Sequence, residues 1–125
     1  MAKCIFIIGL PGSGKSFKAN QLQKELGEEW KILDDPTLES PILFEENVII
    51  CDPHLCNSRT RDGAISIMIK LGYEVKCMFF ENDKEKCLNN IRHRDDGRVI
   101  SKDGLASFQY EVPDGIETLK IWQAN

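Results

Sequence analysis

Eight residues near the N-terminus constrain the fold of this chain more than any other feature. They read Gly-Leu-Pro-Gly-Ser-Gly-Lys-Ser, from Gly9 to Ser16. A nearly continuous apolar run, residues 4–8, precedes them, and the apolar spacing of residues 15–26 is that of an amphipathic helix. A buried strand that turns through glycines directly into a helix is the opening unit of a parallel α/β sheet.

The composition of residues 9–16 is that of a loop that wraps phosphate groups, and we name them the phosphate loop. Glycines allow turns with positive φ, and the amide hydrogens of such a loop converge on phosphates at the start of the helix. Lys15 is expected to contact the β- and γ-phosphates of ATP, and the Ser16 hydroxyl is expected to bind Mg²⁺. The predicted nucleotide site consists of Gly9, Pro11, Gly12, Ser13, Gly14, Lys15, Ser16 and Phe17. A glycine-rich turn without a ligand is the alternative.

Apolar runs and helical patterns alternate along the rest of the chain. Strands are predicted at residues 4–8, 30–33, 48–51, 75–80 and 116–121, and helices at 15–26, 59–71, 84–94 and 102–110. Gly27 and Gly72 stand where helices of this kind end. The sequence therefore predicts one α/β domain, residues 1–125, with the P-loop NTPase fold. About five parallel strands flanked by helices, in a nucleotide-kinase-like topology, are expected.

Composition and cysteine usage limit the binding partners and the cellular compartment that are expected for the protein. The net charge of −4 does not favour broad nucleic-acid binding, because such binding needs clustered Lys and Arg. Five cysteines without a Cys-x-x-Cys pair are typical of reduced thiols in a cytoplasmic protein. Cys51, His54 and Cys56 match no common zinc spacing. The first apolar run is too short for a signal peptide or a membrane span, so no membrane association is expected.

A second acidic group is expected at the metal. The apolar run of residues 48–51 ends at Asp52, and ligands of open α/β sheets bind at the carboxyl ends of the strands. Asp52 is therefore assigned, together with Ser16, to the magnesium shell, either directly or through water. An aspartate that caps the next helix is the alternative.

Three features separate the reaction classes that a phosphate loop serves. A GTPase usually carries Asn-Lys-x-Asp after its fourth strand, whereas residues 81–84 read Glu-Asn-Asp-Lys, which leans towards ATP. Hydrolytic ATPases commonly place a Glu after the strand-end Asp, whereas Pro53 stands there. A kinase instead needs a carboxylate beside the acceptor hydroxyl. Asp34 and Asp35 follow the second predicted strand at the same sheet edge, and a turn or cap is their alternative role.

An arginine-rich segment follows the third predicted helix. Residues 92–98 contain Arg92, Arg94 and Arg98 next to Gly97. We expect residues 92–100 to fold over the nucleotide as a lid and to neutralise charge on the transferring phosphoryl group. A solvated helix end whose cations complement the helix dipole is the alternative.

These motifs together carry a family resemblance. They are the phosphate loop, Asp34-Asp35, Cys51-Asp52-Pro53-His54-Leu55 followed by Arg59, Asn90-Ile91-Arg92-His93-Arg94, and Val99-Ile100-Ser101. In this order they resemble the bacteriophage polynucleotide kinase and its P-loop kinase relatives. The resemblance implies transfer of the γ-phosphate of ATP to a hydroxyl, in that group the 5′-hydroxyl of DNA or RNA. It also implies Asp35 as general base, Lys15 and Ser16 on ATP and Mg²⁺, Asp52 near the acceptor or metal, and Arg92 or Arg94 on the phosphoryl group.

Two departures from this pattern bear on the acceptor. Residues 36–40 contain no cation where the resemblance has an arginine for the acceptor's phosphate, and His54 stands where it has an asparagine. We interpret Asp34, Asp35 and His54 as acceptor-side residues, with a helix-entry role as the alternative for His54. The kinase interpretation has two alternatives: an ATP-binding module or weak ATPase that switches partner binding, and, ranked third, a small-molecule or nucleotide kinase. No oligomeric state is predicted.

Overall fold

Strands and helices alternate in the structure, a computed structural model that describes residues 2–34, 46–92 and 109–121. The strands are β1 (Lys3–Ile8), β2 (Lys31–Asp34), β3 (Val48–Cys51), β4 (Glu74–Phe80) and β5 (Thr118–Leu119). The helices are α1 (Lys15–Leu26), α2 (Ser58–Lys70) and α3 (Lys84–Arg92), and a short 3-10 helix, Pro53–Cys56, lies between β3 and α2.

The five strands form one parallel sheet in the order β2-β3-β1-β4-β5. At its centre Ile7 of β1 pairs with Cys51 of β3 on one side and with Met78 of β4 on the other. All of β3 and all but the first residue of β1 are buried, which is why both runs are almost continuously apolar. The predicted α/β fold with about five parallel strands is confirmed. Because β1 is central, the phosphate loop emerges at the middle of the carboxyl edge of the sheet.

The core consists of apolar side chains from the central strands and from the helices that pack on them. Phe6, Ile7 and Ile49 are almost fully buried. α1 packs against β1, β2 and β3 and buries Ala19 and Leu22, while α2 packs against β4. None of the helices in the described part of the chain combines the length and the apolar character that crossing a bilayer requires.

Element boundaries in the described residues agree with the predicted ones to within one or two residues, except at the last strand and at the fourth predicted helix. β5 has two residues instead of the six predicted at 116–121, because Ile116 is exposed and a turn at Asp114 and Gly115 precedes it. Only Thr118 and Leu119 reach β4. Residues 93 and 94 of the third predicted helix lie outside the described residues, as do residues 102–108 of the fourth. The last two residues of that fourth predicted helix, 109 and 110, form no helix.

The two glycines predicted to end helices do so. Gly27 has a φ of 134° at the end of α1, and Gly72 has a φ of 94° after α2. The amides of Gly72 and Tyr73 donate back to the carbonyls of Ile69 and Met68 over 3.0 Å each. These bonds satisfy carbonyls that the end of the helix would otherwise leave without a partner.

Candidate nucleotide-binding site

The phosphate loop joins the central strand to α1 in a conformation that requires glycine at two positions. Gly12 has a φ of 87° and Gly14 has a φ of 102°, both in the left-handed region that other residues avoid. At Gly12 a Cβ atom would also lie 2.5 Å from the carbonyl oxygen of Cys87 and 2.9 Å from Cγ1 of Ile91. Residue 12 therefore cannot carry a side chain unless α3 moves away from the loop.

The first half of the loop is tightly packed. A Cβ atom at Gly9 would lie 2.5 Å from Oγ of Ser13, and the Ser13 amide donates to the Leu10 carbonyl over 3.1 Å. Pro11 and Ser13 are buried. The Ser13 hydroxyl has no hydrogen-bond partner among the described residues, which is costly for a buried polar atom. An unsatisfied buried hydroxyl in such a loop fits a site that a bound polar group completes.

The N-terminus of α1 differs from those of the other described helices because no side chain caps it. Gly14 precedes the helix, and no Asp or Glu stands in its first turn. Asp52 caps the 3-10 helix, Asn57 caps α2, and Asp83 caps α3 by accepting from the Lys86 amide over 3.1 Å. Of the helices that the structure describes, only α1 begins at a residue without a side-chain cap. The residues present therefore fit a phosphate group at this position.

Lys15 lies across the loop with 9% of its surface exposed, and its Nζ donates to the Leu10 carbonyl over 3.1 Å. The thiols of Cys56 and Cys87 are near enough for Lys15 to lower their pKa, but burial has the larger effect and raises the pKa of each to about 11. Both thiols are therefore neutral near pH 7. Neither thiol therefore supplies a negative charge beside Lys15.

Ser16 and Asp52 are the residues that would hold a magnesium ion. The Cys51 thiol donates to the carbonyl oxygen of Lys15 over 3.9 Å, so the end of β3 contacts the start of α1. Asp52 and Ser16 follow these two residues and offer the oxygen ligands that Mg²⁺ prefers. Oδ1 of Asp52 accepts from the His54 amide over 2.9 Å and lies 2.8 Å from Nδ1 of His54. Asp52 thus caps the 3-10 helix, which is the alternative role predicted for it from the sequence.

α3 holds the phosphate loop from the side. Nδ2 of Asn90 donates to the Gly12 carbonyl over 2.9 Å, and Cys87 and Ile91 are buried on the same helix. Sequence reasoning missed this role of Asn90. The helical spacing of Cys87, Asn90 and Ile91, which places all three on one face, is the signal that indicates it. Arg92, the next residue, is exposed at the end of α3.

The other predicted site residues lie along this edge or outside the described residues. Phe17 is 76% exposed in the first turn of α1, where its ring is accessible at the surface. Asp34 is the last residue of β2 and pairs in register with Cys51 of β3. Asp35, Arg94 and the rest of the predicted lid, residues 93–100, lie outside the described residues, so their roles stay predictions.

The segment after β4 has structural roles at the place where a GTPase carries its guanine-reading motif. Glu81 accepts from Nζ of Lys86 over 2.9 Å and from the Ile121 amide over 3.2 Å. The hydrogen bond from Lys86 is the main cause that lowers the pKa of Glu81. Asp83 caps α3. These carboxylates therefore join β4, α3 and the chain after β5.

Two buried polar side chains that no sequence motif indicated hold residues 109–111 close to the phosphate loop. The Tyr110 hydroxyl lies 3.1 Å from the carbonyl oxygen of Ile8 and 2.5 Å from that of Phe80, and burial raises its pKa. Arg61, which is 5% exposed, donates to the Glu111 carbonyl over 2.9 Å. Tyr110 ties this segment to the ends of β1 and β4, and Arg61 ties it to α2. A single tyrosine and an arginine inside a charged helix have no local signature, so sequence reasoning had no signal for them.

Cys51, His54 and Cys56 do not converge on a common point. Both thiols are buried, whereas the His54 side chain is 79% exposed and contacts Asp52. Within residues 2–34, 46–92 and 109–121, no three or more side chains of His, Cys, Asp or Glu are grouped so that they could hold a metal ion.

Comparisons with known proteins support the assignment of the fold. No model of a known protein family matches the chain, and no curated protein matches its sequence. Among solved structures it is similar to a gluconokinase from Sinorhizobium meliloti 1021, with a TM-score of 0.69 over 98% of this chain and 84% of the other. Only 14% of the residues are identical, so the likeness establishes the fold alone. The chain therefore shares the α/β fold of this gluconokinase, and the narrower resemblance to the polynucleotide kinase group stays a prediction.

Proposed function

We propose that this protein is an ATP-dependent kinase that transfers the γ-phosphate of ATP to a hydroxyl group, with the 5′-hydroxyl of a polynucleotide as its preferred acceptor. The start of α1 carries the proposal. Gly12 and Gly14 have left-handed backbones, Lys15 lies over the loop, and neither a cap nor an acidic side chain occupies the first turn. This combination supports the binding of nucleotide phosphates.

The residues around the loop have distinct roles in the proposed reaction. Lys15 binds the β- and γ-phosphates, and Ser16 and Asp52 hold Mg²⁺, which when bound neutralises phosphate charge. Asp35 takes the proton of the acceptor hydroxyl while the oxygen of that hydroxyl bonds to the γ-phosphorus of ATP. The bond between the γ-phosphorus and the oxygen that bridges it to the β-phosphate breaks, so that ADP leaves. Arg92 and Arg94 neutralise charge on the transferring group.

The polynucleotide acceptor is supported by the sequence resemblance and by the position of the second strand. β2 ends at Asp34 beside β3, at the edge from which the phosphate loop also emerges. Asp35 follows Asp34 in the sequence, and its role as the base is part of the proposal. The Pro53 that follows Asp52 leaves no carboxylate at the position where hydrolytic ATPases commonly carry one.

Two observations favour other functions. Oδ1 of Asp52 is engaged by His54, at 2.8 Å from Nδ1, which favours an ATP-binding module with little turnover. The structural neighbour is named as a gluconokinase, which favours a small-molecule acceptor. Both alternatives keep the phosphate loop as the nucleotide site and differ from the proposal in the acceptor.

A phosphate-transfer assay separates these functions. The wild-type protein, Asp35→Asn and Lys15→Ala are incubated with Mg²⁺ and γ-labelled ATP. The acceptors are 5′-hydroxyl DNA and RNA oligonucleotides, nucleosides, nucleoside monophosphates, gluconate or none. We expect label on the oligonucleotide end, loss of transfer in Asp35→Asn with nearly unchanged ATP affinity, and loss of both in Lys15→Ala.

The other outcomes are equally informative. Label on gluconate or a nucleotide but not on oligonucleotides would replace the polynucleotide acceptor by a small molecule. ATP binding without label on any acceptor would contradict the kinase proposal and favour the binding module.

A further inference from the structure

We propose that the cleft beside the end of β3 is an anion-binding subsite, and that it holds a negatively charged group of the phosphoryl acceptor, a phosphate or a carboxylate. The cleft has a volume of about 570 Å³ and includes His54, Cys56, Asn57, Arg59, Thr60 and Gln109 in its lining. The inference rests on the proposed kinase function, because it names what that reaction would phosphorylate.

The charge of the cleft favours an anion. Among the described residues that line it none is an Asp or Glu, whereas Arg59 is exposed at its rim. The guanidinium of Arg59 makes no ion pair or side-chain hydrogen bond with any residue in the described ranges. A planar guanidinium with parallel N–H donors matches the paired oxygens of a phosphate or carboxylate.

Further hydrogen-bond donors surround Arg59. Oδ1 of Asn57 accepts from the amides of Arg59 and Thr60 over 3.0 and 3.3 Å, which leaves its Nδ2 group as a donor. The Thr60 hydroxyl and the Gln109 side chain also line the cleft. An anion bound here would therefore receive hydrogen bonds from several side chains in addition to the charge of Arg59.

The cleft adjoins the phosphate loop through a shared residue. Cys56 lines the cleft, and its thiol is near enough to Lys15 and to the backbone of Gly9 for both to lower its pKa. His54, also in the lining, contacts Asp52 at the end of β3. A group held in the cleft thus lies beside the start of the loop.

The segment between β2 and β3 cannot supply this charge from its own residues. Residues 35–45 read Asp-Pro-Thr-Leu-Glu-Ser-Pro-Ile-Leu-Phe-Glu and contain three carboxylates but no Lys or Arg. The cation that holds an acidic acceptor must therefore come from another part of the chain. Arg59 at the start of α2 meets this need.

Matched acceptor pairs test the subsite through the transfer reaction. Thymidine 3′-phosphate is compared with thymidine, gluconate with sorbitol, and a 5′-hydroxyl oligonucleotide is run beside them. The wild-type protein is compared with Arg59→Gln and with Lys70→Gln, which removes an exposed charge at the other end of α2. We expect the wild type to prefer the charged member of the accepted pair, and Arg59→Gln to raise its KM about tenfold with kcat nearly unchanged. Arg59→Gln should leave the KM of the neutral member unchanged. Lys70→Gln should have the same KM values as the wild type.

A binding experiment separates failure of the subsite from failure of the kinase proposal. Inorganic phosphate is titrated into a Lys15→Ala variant, which weakens anion binding at the phosphate loop, while the amide NMR signals of Arg59 and Thr60 are followed. Saturable shifts that Arg59→Gln removes would support the subsite even if no acceptor is labelled. Transfer with equal KM for charged and neutral members, or the absence of saturable shifts at these amides, would overturn it. Label on thymidine 3′-phosphate would identify the bound group as a phosphate, and label on gluconate would identify it as a carboxylate.

Discussion

Two helices begin at the same edge of the sheet, and their first turns are built in opposite ways. α2 follows Asn57, whose side chain accepts from the amides of Arg59 and Thr60. α1 follows Gly14, which has no side chain, and its first turn contains no acid. α2 therefore supplies its own acceptor, whereas α1 leaves that place to a ligand.

The start of α1 is less favourable for folding stability than the start of α2. Left-handed glycines at residues 12 and 14 lose more conformational freedom on folding than other residues would, and they pack no side chain. Asn57 adds a cap to α2 at a position with extended backbone. A helix start without a cap that contains left-handed glycines is typical of a binding site, and a capped one is typical of a structural element.

The largest expected effect is at Gly12. Gly12→Ala forces a side chain into a backbone with φ of 87° and places its Cβ 2.5 Å from the Cys87 carbonyl. We expect the free energy of unfolding to fall by roughly 3 kcal/mol, because backbone strain and a steric clash add together. Urea unfolding monitored by circular dichroism measures it.

Gly63→Ala in α2 is the matched control. Outside the neighbouring backbone of α2, no atom lies within 4 Å of the Cβ that it adds, and the helical backbone accepts alanine. We expect it to stabilise the protein by about 0.5–1 kcal/mol. Equal destabilisation by the two substitutions would show that the loop geometry at Gly12 is not special.

The next effect concerns nucleotide affinity. Lys15→Ala removes the ammonium group that lies over the loop, and we expect the Kd for Mg–ATP to rise roughly 100-fold, since a charged hydrogen bond contributes about 1.5–3 kcal/mol. Lys70→Ala, at the far end of α2, should leave the Kd unchanged. Isothermal titration calorimetry measures both, and an equal Kd in all three proteins would contradict the assignment of Lys15.

A smaller effect is expected at the capped helix. Asn57→Ala removes the acceptor for the amides of Arg59 and Thr60 and should cost about 1 kcal/mol of folding stability. The Kd for Mg–ATP should not change, because this cap serves α2 alone. A loss of nucleotide affinity equal to that of Lys15→Ala would break the distinction between the two helix starts.

The last expected effect is a pH dependence of stability. Burial raises the pKa of Cys56 and Cys87 from 9.0 to about 11. The folded state therefore keeps both thiols protonated where the unfolded state releases protons. The stabilisation is complete below pH 9 and is lost as the pH rises towards 11. The urea midpoint at pH 7, 9 and 10.5 measures this decline, and Cys56→Ala should show less of it. A midpoint that is constant across this range would contradict it.

The sequence predicted most of the fold because its signals are local. The buried strands β1 and β3 are continuous apolar runs, and the glycines at 27 and 72 end helices through their own backbone preferences. The edge strand β5 was predicted too long, since an exposed edge with Ile116 outside the ladder resembles a strand in pattern only.

The candidate site was predictable only in part. The phosphate loop is contiguous in sequence, so its residues were found together. Asn90 contacts Gly12 across 78 residues, and Tyr110 contacts Ile8 across 102, so these partners depend on tertiary packing. The engagement of Asp52 by His54 was expected only as a capping alternative, because the 3-10 helix that produces it has no strong sequence pattern.

The most direct test of nucleotide binding at the start of α1 is a titration of the protein with Mg–ATP followed by backbone amide NMR. We expect the amides of residues 12–16 to show the largest shifts and to saturate at one nucleotide per chain. The capped amides of Arg59 and Thr60 should shift much less. Absence of saturable shifts at residues 12–16 in the presence of millimolar Mg–ATP would contradict the claim that the uncapped start of α1 is the nucleotide site.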